Sequence, residues 1–108
     1  MANLARALSA ATGWSYTLEE GMRFGRRTAA ILRAFNLRCG IGPEVEYPSE
    51  RYGSRPVDGP AKDHCVMDQW EQMVDSWYAK VGYDRKTGKP KKDTLRALGL
   101  DWLARELW

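Results

Sequence analysis

Cysteine, histidine and long apolar runs are all scarce in this sequence, and each scarcity closes off a class of function. The two cysteines, Cys39 and Cys65, stand far apart in a chain of 108 residues. Small secreted domains use a dense disulfide framework, so both are expected to be reduced thiols in a cytoplasmic protein. Zinc and iron–sulfur sites usually draw four ligands from closely spaced pairs. Cys39, Cys65 and the single histidine, His64, supply three at most, so this chain is expected to hold no metal or cofactor of its own. The opening Met-Ala-Asn-Leu-Ala-Arg lacks the basic start and apolar run of a signal peptide. Apolar stretches of a few residues are too short to span a bilayer, and no membrane association is expected.

A catalytic site has equally little to start from. Asp58, Lys62, Asp63 and His64 share one segment, but a general base needs a pocket that shifts its pKa, and nothing in the pattern marks one. Gly59-Pro60-Ala61-Lys62 carries a glycine and a lysine without the spacing of a phosphate-binding loop. The chain alone is therefore expected to be inactive.

What is present is a folded composition. Residues of apolar type make up 44% of the chain, including five Trp and five Tyr, and such large side chains remove much surface from water in a domain this small. Leu4, Ala7, Leu8 and Ala11 recur at helical spacing, which predicts a helix over about Asn3–Ala11 stopped by Gly13. Thr17 and Glu20 fit a capping box at the start of a long second helix. Around that helix Leu18, Met22, Phe24, Gly25, Thr28, Ala29, Ile31, Leu32 and Phe35 form a broad apolar arc opposite Arg23, Arg26, Arg27 and Arg33. The arc is expected to lie on the core, with Gly25 and Ala29 admitting a close helix neighbour.

From about residue 38 to 66 the periodicity gives way to dense glycine and proline, which predicts one long irregular loop anchored by Tyr47, Tyr52 and Val57. Asp68 and Glu71 form a second plausible capping pair. The Trp70, Met73, Val74, Trp77, Tyr78 and Val81 stripe then predicts a helix facing the long one and ending at Gly82. A turn follows over Tyr83–Pro90. Short helices are expected over about Lys92–Leu98, closed by Gly99, and from Asp101 through Leu107. No stretch alternates with period two. The fold class is all-α, a small bundle of four to five helices in a single domain over residues 1–108.

Net charge is +3, concentrated on Arg23, Arg26, Arg27 and Arg33 and on Arg85, Lys86, Lys89, Lys91 and Lys92. A solvated face is the ordinary meaning of such clusters. The alternative is a free-standing helical adaptor that binds an acidic protein or RNA through them. Nucleic acid is not the expected partner, because the aromatics of the basic helix fall on its apolar side.

Four stretches in order resemble one family. Leu8-Ser9-Ala10-Ala11-Thr12-Gly13-Trp14-Ser15-Tyr16-Thr17-Leu18-Glu19-Glu20 with Arg33-Ala34-Phe35-Asn36-Leu37-Arg38 is similar to the N-A-A-T-G-W-D-x-T-x-E-E and R-x-F-N-x-R passage near the end of aldehyde:ferredoxin oxidoreductases. Gly59-Pro60-Ala61-Lys62 resembles that family's G-P-A-K-G. Met73-Val74-Asp75-Ser76-Trp77-Tyr78 resembles M-L-D-E-Y-Y, followed by Gly82-Tyr83-Asp84 and Leu95-Arg96-Ala97-Leu98-Gly99-Leu100. The likeness runs from about Leu4 to Leu103. Cys39 and Asp63 depart from the family pattern.

The resemblance implies a parent enzyme with a tungsten- or molybdenum-pterin and a [4Fe-4S] cluster that oxidises aldehydes and reduces ferredoxin. The family's cluster and pterin motifs lie upstream of the matched region and are absent here. The chain is thus expected to be the last helical portion of such an enzyme, packed against an upstream cofactor-bearing domain or subunit, whether as a small polypeptide or as part of a longer one. Tyr52, Lys62, His64, Arg23, Arg26 and Arg27 are the expected docking residues. No catalytic, cofactor or metal role is carried over. An uncovered apolar face would also favour a homo-oligomer in isolation.

Overall fold

Capping and glycine chemistry set the ends of the helices in the computed structural model, which describes residues 2–108. Helix α1 spans Ala2–Thr12 and α2 spans Leu18–Arg38. Between them Gly13 takes a left-handed conformation, and the Ser9 hydroxyl accepts from the Tyr16 N–H at 2.9 Å. The Thr17–Glu20 capping box forms as expected. The Thr17 N–H donates to Glu20 Oε2 at 2.7 Å, and the Glu20 N–H donates to Thr17 Oγ1 at 3.1 Å. The Thr17 N–H and hydroxyl, both donating to Glu20 Oε2, hold the Glu20 carboxyl below its ordinary value.

The region expected as one irregular loop carries a 3-10 turn at Pro43–Val45 and a short helix, α3, at Glu50–Gly53. A further 3-10 turn, Val66–Gln69, leads into α4, Trp70–Val81. Here the expected Asp68–Glu71 cap does not form: Asp68 lies inside the 3-10 turn, and no side chain caps α4. The tighter turn meets the entering donors itself, with the Asp68 N–H bonded to Cys65 O at 3.1 Å. The Asp68 carboxylate accepts from Arg55 instead, at 2.7 Å. Of the expected loop anchors, Tyr47 meets Trp70 edge-on at 6.2 Å. Tyr52 and Val57 are exposed. The loop is tied instead by the Cys65 thiol, which donates to Gly53 O at 3.2 Å.

Helix α4 ends at Gly82, whose φ of 74° lets the Tyr83 N–H turn back to Tyr78 O at 3.0 Å. The same geometry closes α5, Lys92–Ala97, where Gly99 has φ 68° and the Leu100 N–H reaches Leu95 O at 2.8 Å. A side chain at either position would be strained in this left-handed region. Between α4 and α5 the Tyr83–Pro90 turn is held by a single antiparallel bridge and by Asp84 Oδ1, which accepts from the Thr87 N–H at 2.8 Å and its hydroxyl at 2.7 Å. Helix α6 is Asp101–Leu107. Six α-helices and no β-strand occur among the described residues. The class is all-α.

The core joins three helices. Leu95, Leu98, Leu100, Leu103, Ala104 and Leu107 of the α5–α6 pair close over Ala30 and Ala34 of α2. This reverses the expected orientation of α2. Its apolar arc faces outward, with Phe24 and Phe35 each 64% exposed and Leu32 58% exposed, while the face carrying the arginines lies on the core. Two alanines one turn apart make a flat floor that α6 can approach closely. Long arginine stems flank it and carry their charged ends to the edge. Gly25, expected to admit a neighbouring helix, is likewise exposed. In α1 the only buried residue is Ala5, and the Leu4–Leu8 stripe faces away from the core.

Candidate functional site

The most highly connected polar group in the fold centres on Arg33, an arginine expected on the solvent side of α2. Its side chain is 13% exposed. Nε donates to Gly88 O at 2.9 Å, Nη2 donates to the Tyr78 hydroxyl at 2.7 Å, and Nη1 pairs with Glu46. The Tyr78 hydroxyl in turn donates to Glu46 Oε2 at 2.5 Å. The Arg33 guanidinium also lies 5.8 Å from the Tyr78 ring centroid, and that of Arg85 lies 5.2 Å from it. Arg85 is itself anchored to Asp75 at 2.8 Å and Glu71 at 2.9 Å. One planar guanidinium thus ties together α2, the start of the loop, α4 and the Tyr83–Pro90 turn, using the geometry that distinguishes Arg from Lys. No signal in the sequence pairs Glu46 with Arg33, because the contact joins a loop to a helix that the apolar arc turns the other way.

Burial, reinforced by the bond to Glu46, pushes the Tyr78 phenol up to about 12 from its ordinary value of 10. An unfolded tyrosine ionises first as pH rises, so the stability tied to this proton is complete below pH 10 and is lost through the window up to about 12. A two-unit shift corresponds to roughly 2 to 3 kcal/mol. Tyr78→Phe is expected to remove this alkaline loss: the stability difference between parent and variant should shrink as pH rises from 9 to 12 in urea titrations. Parallel curves would show that the phenol is not held in this way.

The six residues expected to dock a partner fall into two groups. Arg23 Nη2 donates to Ala97 O at 3.5 Å, and the Arg27 guanidinium lies beside Gly99. Both place positive charge at the C-terminal end of α5, where the helix dipole favours it. Arg26 lines a cleft of about 530 Å³ between α2, α4 and α5. Tyr52, Lys62 and His64 are exposed on the loop, whose α3 packs on the Val66–Gln69 turn.

Most of the second basic cluster is also engaged internally. Besides Arg85, Lys89 donates to Leu107 O at 2.7 Å, and Lys89 and Lys92 lie 5.0 and 5.9 Å from the Trp108 ring centroid. Cations spent in this way give little support to an adaptor built on two free basic patches.

Among the described residues no three His, Cys, Asp or Glu side chains gather where a metal ion would sit. Cys39 is exposed at the end of α2, and the Cys65 thiol is committed to a backbone carbonyl. This donor set does not fit an iron–sulfur cluster or a pterin-bound metal. No helix is long and apolar enough to cross a membrane among the described residues.

The geometry defines an all-α module whose polar groups mostly fasten its own elements and whose large apolar side chains mostly remain uncovered. The chain belongs to the aldehyde ferredoxin oxidoreductase family, matching the description "Aldehyde ferredoxin oxidoreductase, domains 2 & 3" over residues 1–100. It is similar to the tungsten-containing aldehyde ferredoxin oxidoreductase of Pyrococcus furiosus, with 33% identity over 95 residues that cover 86% of this chain and 15% of the relative. The protein of the same name from Pyrococcus abyssi is 30% identical over 96 residues, 87% of this chain and 15% of its own length. That from Thermococcus kodakarensis is 30% identical over 95 residues, with coverage of 86% and 15%. The chain thus spans about 15% of the length of the curated relatives it matches. No solved structure matches it.

Proposed function

We propose that this chain is the C-terminal helical portion of an aldehyde ferredoxin oxidoreductase-type enzyme and acts as one unit that packs on and covers the cofactor-bearing part. The observation that carries this reading is uncovered apolar surface. The chain exposes 8368 Å² in all, polar and apolar together, against about 6,100 Å² expected from surface scaling for a compact monomer of its mass. The excess of roughly 2,300 Å² is larger than the roughly 800 Å² per partner of an ordinary stable interface. Its radius of gyration, 17.9 Å, exceeds the ~13 Å of a compact domain of this length. Phe24, Leu32, Phe35, Trp77 and Trp102 all contribute to the open surface. Exposure of so many large apolar side chains favours surface that meets another body.

In this reading the tungsten- or molybdenum-pterin and the [4Fe-4S] cluster are held by the upstream part, and ferredoxin takes electrons from the whole cytoplasmic enzyme. Tyr52, Lys62, His64 and Arg26 face the upstream part, while Arg23 and Arg27 serve α5. The chain contributes by excluding water: closing a site strengthens the electrostatic interactions within it without any residue of the cover touching the substrate.

Co-production of the chain with its cofactor-bearing part, followed by size-exclusion chromatography, tungsten and iron analysis and an aldehyde oxidation assay, tests the reading. The expected result is a stoichiometric assembly whose activity falls when the chain is omitted, with metal retained by the other part. Stoichiometric tungsten or iron in the 108-residue chain alone, or aldehyde turnover by it, would overturn the proposal.

A further inference from the structure

The cleft between α2, α4 and α5 combines an apolar lining with exposed cations. Met22, Ala29, Trp77 and Leu98 give it an apolar lining, and Trp77 is 48% exposed. Arg26 and Lys80 also line it and are exposed, and no carboxylate is among its lining residues. Neither cation makes an ion pair or a side-chain hydrogen bond among the described residues, whereas Arg23, Arg33, Arg55, Arg85 and Lys89 all do. Two unpaired cations beside a half-exposed tryptophan make a seat for a group that is apolar at one end and anionic at the other.

Met22 and Ala29 are also the edge of the outward apolar arc of α2, so the cleft is continuous with the largest uncovered face of that helix. This continuity favours a protein segment over a free small molecule, because a segment seated here extends directly along Leu18, Gly25 and Leu32. Relatives more than six times as long as the matched stretch supply the length of chain from which such a segment can come.

We infer that this cleft receives a segment of the cofactor-bearing part of the same enzyme, one that places a bulky apolar side chain against Trp77 and Leu98 and a neighbouring Asp or Glu between Arg26 and Lys80. The inference rests on the proposed covering role and adds the chemistry of the contact. The apolar side chain supplies the buried surface, and the carboxylate fixes register by pairing two cations that otherwise face no anion. The same charges disfavour a basic segment in this seat.

Zero-length carbodiimide coupling on the whole assembled enzyme, read by mass spectrometry, tests this without altering the protein. Lys80 Nζ is expected to be joined to an Asp or Glu outside residues 1–108. Coupling of Lys80 only to carboxylates of this chain or of a second copy, in an assembly that otherwise forms, would overturn the inference and leave the covering role standing. A paired variant, Arg26→Glu with Lys80→Glu, changes two exposed side chains. Its retention of the co-produced cofactor-bearing part is expected to fall by about ten-fold or more, as for the loss of close interfacial charge pairs. Arg26→Gln with Lys80→Gln should show a smaller loss, and its circular dichroism should match the parent. Unchanged retention by the charge-reversed variant also overturns the inference. Failure of the unaltered chain to associate at all overturns the covering role together with it.

Discussion

Arg33→Ala is expected to destabilise the chain by about 3 kcal/mol or more, the loss that follows when one partner of a largely buried ion pair is removed. The guanidinium makes three directed contacts, to Gly88 O, the Tyr78 hydroxyl and Glu46. Its removal leaves Glu46 with the Tyr78 hydroxyl as its remaining side-chain partner and frees the turn carbonyl at Gly88. Arg33→Lys should recover little, because a single ammonium cannot reproduce a fork that points Nε and two Nη groups in fixed directions. Arg33→Met with Glu46→Gln should cost less than Arg33→Ala, since both ends of the buried pair are then neutral. Urea denaturation of the three variants measures all of this. A loss of under about 0.5 kcal/mol for Arg33→Ala, the range of an ordinary surface substitution, would mean that the arginine is solvated, as its place on a basic helix face suggests.

Arg33 also marks where reading from sequence stops. Helix ends depend on neighbours within a few residues, and Thr17–Glu20, Gly82 and Gly99 are legible for that reason. Which face of α2 meets the core depends on partners elsewhere in the chain. An apolar arc bounded by arginines predicts arc-inward packing when the chain is taken as a complete body. The fold instead buries Ala30 and Ala34 and leaves Phe24 and Phe35 outward.

The family was readable from four segments in order, and residues 1–100 match it. Arg26 was readable as a surface cation. Lys80 carries no such signal, because nothing in the Trp70–Val81 stripe says that its charged neighbour borders a cleft. Asp68 shows a third limit. A cap and a 3-10 entry compete for the same backbone donors, and the bond to Arg55, thirteen positions away, is invisible to a local pattern.

Leu95→Ala is expected to remove about 3 kcal/mol, within the range for deleting a fully buried leucine. Leu95 has no exposed surface and belongs to the hydrophobic cluster that joins α5 and α6 to α2. Its helix has six residues, far fewer than the roughly 12 to 15 an isolated helix needs, so α5 exists because it is packed. For a chain of this size total stability is of the order of 5 to 15 kcal/mol, and an open shape belongs at the lower end. Leu95→Ala therefore removes a large share of it, and the denaturation midpoint should fall accordingly. Association with the cofactor-bearing part should restore part of the loss, by roughly 2.7 kcal/mol at a hundred times the dissociation constant, because only the folded chain binds. Phe24→Ala should behave in the opposite way. A side chain that is 64% exposed contributes little to the free chain, so its midpoint stays near the parent's while retention of the cofactor-bearing part weakens. If Phe24→Ala instead unfolds the free chain while Leu95→Ala leaves it intact, α2 is packed with its apolar arc inward, and the uncovered face on which the covering role rests does not exist.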